Sequence, residues 1–217
     1  MCIIYSLSTD IKSIDTLDQL NDFIKNQIKI TFKDIENVSA DLNFEEKYKK
    51  LKKYKGNRGL SNSETAMVYA LWAAKQQKKV DIEYMSLANI FENETPEKLK
   101  LFKKEFLNCD ALLVSGPVYF GDRGSLTQRM IEFLNSDMEC MKHAKKILYA
   151  GLAVGAKRNG GQETTLIFQT LDFLNLGSKV VGNGYDTTAQ YGGTLVSGDI
   201  GKLQEDTYGI KTALSTG

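Results

Sequence analysis

The sequence of 217 residues has few of the side chains that carry out chemistry at enzyme sites. Its one histidine, His143, excludes a zinc site built from two or three histidines, and a Ser-His-Asp mechanism would have to use that ring. Its three cysteines, Cys2, Cys109 and Cys140, form no C-x-x-C pair, which argues against a disulfide scaffold and indicates a reducing compartment. An iron–sulfur centre normally needs four thiolates. Any redox group must therefore be bound from outside.

Long apolar runs and an excess of one charge are also missing. The longest apolar run, residues 147–156, has ten residues, whereas a membrane-spanning helix needs roughly 18. The first ten residues have no basic leader, so a signal peptide is not expected. The net charge of +1 gives no overall reason to bind nucleic acid or an anionic membrane. We expect a cytoplasmic protein with no nucleic-acid partner and no membrane insertion.

From residue 56 onward, predicted strands alternate with predicted helices. Alternating polarity over residues 79–85 predicts a strand near a sheet edge. Continuous apolar runs at 110–115, 146–154 and 179–182 predict strands that are buried on both faces. Helical spacing of apolar residues predicts helices over 63–77, from 95, over 126–134 and over 163–176. This alternation is typical of a doubly wound α/β sheet with helices on both faces.

The first 55 residues fit this pattern less well. Residues 1–7 could form an inner strand, and residues 17–30 have the apolar spacing of a helix. Between Lys47 and Arg58 there are seven basic residues and no acid. This basic segment is either a solvated helix face or a docking surface for an acidic partner or an anion.

Three segments that follow predicted strands are candidates for a ligand site, because open α/β sheets bind ligands beyond the carboxyl ends of their strands. Residues 56–65 bring small hydroxyl side chains to a helix start, which suits a phosphate or plain helix capping. Residues 115–121, Ser-Gly-Pro-Val-Tyr-Phe-Gly, suit a flat ligand or a tight turn. Residues 155–165 form a polar loop whose Lys157 and Arg158 either attract dinucleotide phosphates or are simply solvated. One segment suited to phosphate and two suited to a planar ring indicate flavin mononucleotide (FMN).

The sequence also resembles a known family in these segments. SGPVYFG at 115–121, followed by 126–134, is similar to a stretch of NAD(P)H-dependent FMN reductases and multimeric flavodoxin-type quinone reductases. SNSET at 61–65, GGQETT at 160–165 and YGGT at 191–194 are similar to loops of the same family. The resemblance covers roughly residues 56–215.

The resemblance implies an α/β, flavodoxin-like fold, a five-stranded parallel sheet with helices on both faces, in a single domain spanning residues 1–217. Residues 10–55 would be a helical insertion after a first strand at 3–7; alternatively, the first strand lies at 29–32. The implied FMN site comprises a phosphate group of residues and a ring group. These are Arg58, Ser61, Asn62, Ser63 and Thr65 for the phosphate, and Pro117, Val118, Tyr119, Phe120, Gly121, Gly155, Ala156, Gly160, Gly161, Gln162 and Glu163 for the ring.

The activity implied is hydride transfer from NADPH or NADH through bound FMN to a quinone, a flavin or a similar acceptor, with no catalytic side chain and no metal. Such proteins commonly form homodimers or homotetramers. The alternative is a flavodoxin-type electron carrier that docks a protein redox partner, although the net charge of +1 differs from the acidic character of such carriers. A third possibility is a module that has lost flavin and kept the fold for association.

Overall fold

The computed structural model describes residues 11–27, 60–77, 79–185, 190–198 and 201–217. Arg58, the predicted strand at 1–7 and the basic segment between Lys47 and Arg58 lie outside the described residues. In chain order the elements are α1 (Leu17–Gln27), α2 (Asn62–Lys75), α3 (Leu87–Phe91), α4 (Pro96–Asn108), β1 (Ala111–Tyr119), β2 (Asp122–Arg123), α5 (Ser125–Ser136), α6 (Met138–Ala144), β3 (Leu148–Gly155), α7 (Gln162–Leu176), β4 (Lys179–Val180), β5 (Gly193–Val196), a 3₁₀ turn (Leu203–Glu205) and α8 (Thr207–Thr216).

Local sequence explains where the longer helices begin and end. Ser61 and Glu64 form a reciprocal capping box at the start of α2, in which each side chain accepts the backbone N–H of the other residue. Thr95 caps α4, whose first residue, Pro96, has no N–H to leave unpaired. α7 ends at Gly177, whose φ of 86° is a left-handed conformation that favours glycine. The helices predicted in these regions are confirmed.

β3 is the central strand of the sheet. It pairs in parallel with most of β1, from Leu148 opposite Ala111 to Val154 opposite Pro117. On its other side it pairs in parallel with β4 near its start and with β5 near its end. β4 and β5 therefore lie in line along β3, separated by residues 181–192. β5 was not predicted, because it is short and begins at the second of two consecutive glycines.

The sheet is mixed, so the prediction of five parallel strands is wrong. Within the described residues it has five strands, but β2 runs antiparallel to β1. The chain reverses at Phe120 and Gly121, whose φ angles are 53° and 78°. Positive φ at both central residues is the pattern of the two-residue hairpin turn whose twist matches that of its flanking strands. We call residues 117–123 the ring hairpin.

The edge strand predicted over residues 79–85 is not among the strands of the described ranges. Ile82 and Tyr84 are buried while Asp81 and Glu83 are exposed, so burial alternates as the sequence pattern predicts. The segment is nevertheless not paired with any strand in the described ranges. A one-sided apolar pattern requires a core to pack against, and it does not by itself require a hydrogen-bonded neighbour.

In the described part of the chain two apolar cores, one on each face of the sheet, hold the layers together. On one face, Leu152 and Val154 of β3 pack with α1, α2 and α8. On the other face, Tyr149 of β3 lies in a core with α3 to α7, where its ring stacks on Phe173 at a centroid distance of 3.8 Å. Successive β3 residues point to opposite faces, so a continuous apolar strand serves both cores. Helices therefore cover both faces, as predicted.

Candidate functional site

The three predicted segments meet at the carboxyl edge of the sheet. β1 and β3 are parallel and in register, so residues 117–121 and the loop from Gly155 leave the same edge. The Ser115 hydroxyl donates to the Ser63 carbonyl at 2.7 Å, which fixes the start of α2 beside the end of β1. The N-terminus of α2, the ring hairpin and the loop after β3 are thus neighbours.

The N-terminus of α2 has both exposed and engaged groups. Ser61 is exposed, and Asn62 and Ser63 are half-buried. The Asn62 side chain accepts the Gly201 N–H at 3.2 Å, so it also anchors the chain after β5. Thr65 is buried, and its hydroxyl donates to the Ser61 carbonyl at 3.0 Å. The Thr65 side chain therefore stabilises the first turn of the helix and is not presented to solvent.

The ring hairpin presents aromatic side chains to solvent. Phe120 is fully exposed and Tyr119 is 52% exposed, whereas Pro117 and Val118 are half-buried. Both side-chain nitrogens of Arg123 that face Gln128 donate to its carbonyl oxygen, at 2.9 and 2.7 Å, which ties the hairpin to α5. The segment predicted to follow the strand, residues 115–121, begins inside β1, because that strand continues to Tyr119.

Arg123 also anchors the hairpin to α7. One guanidinium nitrogen lies 3.2 Å from a carboxylate oxygen of Asp172. Burial raises the pKa of Asp172, although the Arg123 charge lowers it in part. The hairpin is therefore held from two helices by one arginine that the sequence analysis did not single out.

The loop after β3 is shaped by Gln162. This side chain is 4% exposed. Its nitrogen donates to the Lys157 carbonyl at 2.8 Å and to the Leu195 carbonyl at 3.2 Å. Its oxygen accepts the Gly160 N–H at 2.8 Å. It lies against Gly155, where a Cβ would come within 2.5 Å of the Gln162 side-chain nitrogen. Gln162 thus positions the loop from inside, while Ala156 and Glu163 remain exposed.

Gly161 brings this loop against the ring hairpin. Its φ is 103°, and a Cβ at this position would lie 2.6 Å from the Gly121 Cα. Only glycine permits both the conformation and the approach of the two backbones. The two segments predicted to hold the flavin ring are therefore in direct contact.

Arg158 is bound within the protein. Its guanidinium pairs with Asp206, donates to the Thr194 carbonyl at 3.3 Å and lies 5.4 Å from the Tyr208 ring centroid. Asp206 is the N-cap of α8 and accepts the backbone N–H groups of Val196 and Gly209. This tether joins the loop after β3 to the C-terminal helix. Sequence reasoning missed it because its partners are 48 residues apart.

The residues at this edge fit FMN. The glycine contact at Gly161 and the exposed Tyr119 and Phe120 leave flat backbone and aromatic surface for a planar ring. The hydroxyl-rich first turn of α2 adds the partial positive charge of a helix N-terminus for a phosphate. One group does not match a phosphate site, namely the Glu64 carboxylate in that same turn.

The remaining chemistry-bearing residues lie in structural roles. The Trp72 indole donates to the Ile14 carbonyl at 3.0 Å and packs against the core, as expected for a core residue. The His143 ring contacts the Cys109 carbonyl at 2.9 Å. Burial raises the pKa of Cys109 to about 11 and that of Cys140 to about 12, so both thiols are protonated at neutral pH. Within the described ranges no cluster of three or more histidine, cysteine or acidic side chains could hold a metal ion.

Two further features lie apart from this edge. A groove of about 340 Å³ between α1 and α8 is lined by Leu17, Asn21, Ile210 and Leu214 among others, and it shares no residue with the predicted flavin site. None of the helices in the described part of the chain is long and apolar enough to cross a membrane.

Comparison with known proteins shows the family of this chain. Residues 56–191, well over half of the chain, match the NADPH-dependent FMN reductase family. The chain belongs to this family. Membership of this FMN reductase family supports FMN as the cofactor of the protein and NAD(P)H as its electron donor.

The chain is similar to a curated relative and to a solved structure, among others. The chain is 35% identical over 114 residues to the iron-sulfur flavoprotein MJ1083 of Methanocaldococcus jannaschii, a match that covers 52% of this chain and 58% of that protein. The chain thus matches less than two thirds of that relative's length. The structure of the Trp repressor binding protein from Bacillus subtilis superposes with a TM-score of 0.55 at 15% identity, over 74% of this chain and 92% of that chain. This likeness shows the flavodoxin-like fold.

Proposed function

We propose that this protein is an FMN-dependent NAD(P)H oxidoreductase that passes electrons to a quinone, a flavin or a similar acceptor. The observation that carries the proposal is the meeting of α2's N-terminus, the ring hairpin and the loop after β3 at one sheet edge. Bound FMN would supply the hydride chemistry, since it accepts a hydride from a nicotinamide and returns electrons to a second substrate.

In this proposal the chain's own residues bind FMN and orient it. Ser61, Asn62 and Ser63, with Arg58, hold the phosphate, while the ring lies against the ring hairpin and the loop from Gly155 to Glu163. Gln162 and Arg158 keep that loop in place through the bonds described above. Because Arg158 is engaged by Asp206, Lys157 is the loop cation that remains to attract the phosphates of the nicotinamide nucleotide.

The relative's name includes both an iron–sulfur group and a flavin, and we propose only the flavin for this chain. This sequence has three cysteines, one fewer than the four thiolates that a cluster normally needs. Cys109 and Cys140 are also in separate, shielded places, with Cys140 fully buried.

We propose further that the chain forms a homodimer or homotetramer through α7. Ile167, Phe168, Leu171 and Leu174 are 39% to 52% exposed and lie on one side of the helix, at the spacing of an apolar stripe. We call these four residues the α7 stripe. The helix begins at the contact between Gly161 and Gly121, so a second copy on the stripe would lie close to the ring hairpin. An exposed apolar stripe of this kind is typical of protein interfaces.

A flavodoxin-type FMN electron carrier is the second candidate, favoured by the exposed Phe120, which a protein partner could cover. In that case, the basic segment between Lys47 and Arg58 would dock an acidic redox partner.

An absorption spectrum separates these candidates. The purified protein is incubated with FMN, desalted, and then titrated anaerobically with NADPH and with NADH. Retained flavin bands that bleach with a nucleotide are the expected result and also reveal the donor. Retained bands that neither nucleotide bleaches would favour the carrier. A colourless protein would refute both and leave a scaffold without flavin.

A further inference from the structure

Glu64 lies in the first turn of α2, among the residues proposed to hold the FMN phosphate. One carboxylate oxygen accepts the Ser61 N–H at 2.8 Å, and the other accepts the Tyr84 hydroxyl at 2.7 Å. Tyr84 is 8% exposed; its burial and the Glu64 charge both raise its pKa, so the hydroxyl stays a donor. The carboxylate is thereby fixed at the helix N-terminus instead of extending into solvent.

The Glu64 charge is not neutralised by a neighbouring cation in the described part of the chain. None of the ion pairs there includes Glu64. The carboxylate instead lies beside the partial positive charge of the helix N-terminus, which is the same partial charge that a phosphate would use. The Ser61 N–H is likewise already occupied.

A phosphate at this turn would therefore meet a resident anion. The two negative groups repel, and they compete for one backbone donor. The isoalloxazine ring, which lies against the ring hairpin and the loop after β3 in the proposed arrangement, does not use this turn. The conflict thus concerns the phosphate alone.

We propose that Glu64 weakens binding of the phosphate-bearing flavin and so reduces the preference for FMN over riboflavin. This inference rests on the proposed function, because that function brings the FMN phosphate to Ser61, Asn62 and Ser63. Riboflavin has the same ring and no phosphate, so it is insensitive to Glu64. A weakened phosphate site suits a flavin that exchanges with solution.

The test is a pair of titrations on the full chain, with FMN and with riboflavin, followed by quenching of flavin fluorescence. Glu64→Gln removes the charge and keeps the capping box, since glutamine serves at the same box position. We expect the Kd for FMN to fall about tenfold, the size of one screened charge interaction, and the Kd for riboflavin to stay the same. Glu97→Gln is the matched control, because Glu97 also lies in the first turn of a helix, and that helix, α4, packs on the opposite face of the sheet from α2.

Each other outcome has a definite meaning. If the wild type binds FMN and Glu64→Gln binds it equally or more weakly, the inference is wrong and the proposed function stands. An equal gain for both flavins also overturns it, because the effect would then lie at the ring. A wild type that binds neither flavin overturns the proposed function itself. If circular dichroism shows that Glu64→Gln is unfolded, Glu64→Ala replaces it with the same expectation, since alanine favours the helix.

Discussion

Replacing Asp206 with alanine should destabilise the protein by about 2–4 kcal/mol, because one carboxylate joins three parts of the chain. It accepts the Gly209 N–H at 2.9 Å as the N-cap of α8, and the Val196 N–H at 2.6 Å at the end of β5. It also pairs with Arg158 in the loop after β3. The Asp206 side chain is 8% exposed, so water replaces these contacts poorly.

The contacts differ in what they contribute. Loss of a helix cap costs about 1 kcal/mol. The Val196 N–H, left without its acceptor in a partly buried position, costs about 1–2 kcal/mol. The Arg158 side chain is 43% exposed, so its ion pair adds only about 0–1 kcal/mol. Arg158→Ala should therefore cost less than about 1 kcal/mol and is the natural comparison.

Urea unfolding of the wild type, both single variants and the double variant measures these terms. We expect a large loss for Asp206→Ala and a small one for Arg158→Ala. The double variant should lie close to Asp206→Ala alone, because the ion pair is already gone. If Asp206→Ala costs no more than Arg158→Ala, the backbone contacts of Asp206 do not hold the loop, β5 and α8 together, and the reasoning is refuted.

Three further predictions concern the hairpin contact, acid stability and assembly. Gly161→Ala should weaken FMN binding, measured by fluorescence quenching, at least tenfold, because the new Cβ would collide with Gly121. Gly184→Ala is the control: Gly184 also has a positive φ but lies in open space, so this variant should bind FMN as the wild type does. Equal losses in both variants would indicate strain elsewhere. The Lys103 ammonium and the amides of Cys140 and Glu139 hold the pKa of Asp137 below its ordinary value, so its contribution to stability is present above about pH 4 and lost as pH falls through the lower folded value. As the pH falls from 6 to 2, the urea midpoint should decrease more steeply for the wild type than for Asp137→Asn, which keeps the helix cap. Parallel curves for the two proteins would contradict this. Leu171→Glu should shift the protein to a smaller species in sedimentation velocity, whereas Val80→Glu, which changes an exposed apolar residue outside the α7 stripe, should not. Unchanged assembly in both variants would exclude the α7 stripe as the interface.

The elements that could be predicted from sequence are those with local signals. Thr95 and Pro96 indicate the start of α4, and Gly177 indicates the end of α7, through backbone preferences that act within a few residues. β1 and β3 are recognisable as continuous apolar runs, since both of their faces are buried. The positions of two candidate segments, 115–121 and 155–165, follow from β1 and β3, because a segment after a parallel strand must leave the carboxyl edge. The position of the third, at the start of α2, depends on the contact between Ser115 and Ser63.

The parts that could not be predicted depend on neighbours distant in sequence. Phe120 has a positive φ that its residue type disfavours, and this conformation is found where β1 reverses into β2 and Arg123 ties the hairpin to two helices. The alternation over residues 79–85 predicts the burial of that segment correctly, but no strand pairs with it in the described ranges, because pairing also requires a second strand. Membership of the sheet was therefore the weakest prediction.

The sequence by itself determined the α/β class, the limits of the main helices and the segments that could hold a flavin, because caps, glycines and periodic burial are local. Only the tertiary structure decided that the sheet is mixed, that Gln162 and Arg158 are engaged within the protein, and that Glu64 lies fixed at the N-terminus of α2. These last features join residues such as Glu64 and Tyr84, or Arg158 and Asp206, which are 20 and 48 positions apart. Contacts at that separation exist only after the chain has packed, since no local preference encodes them.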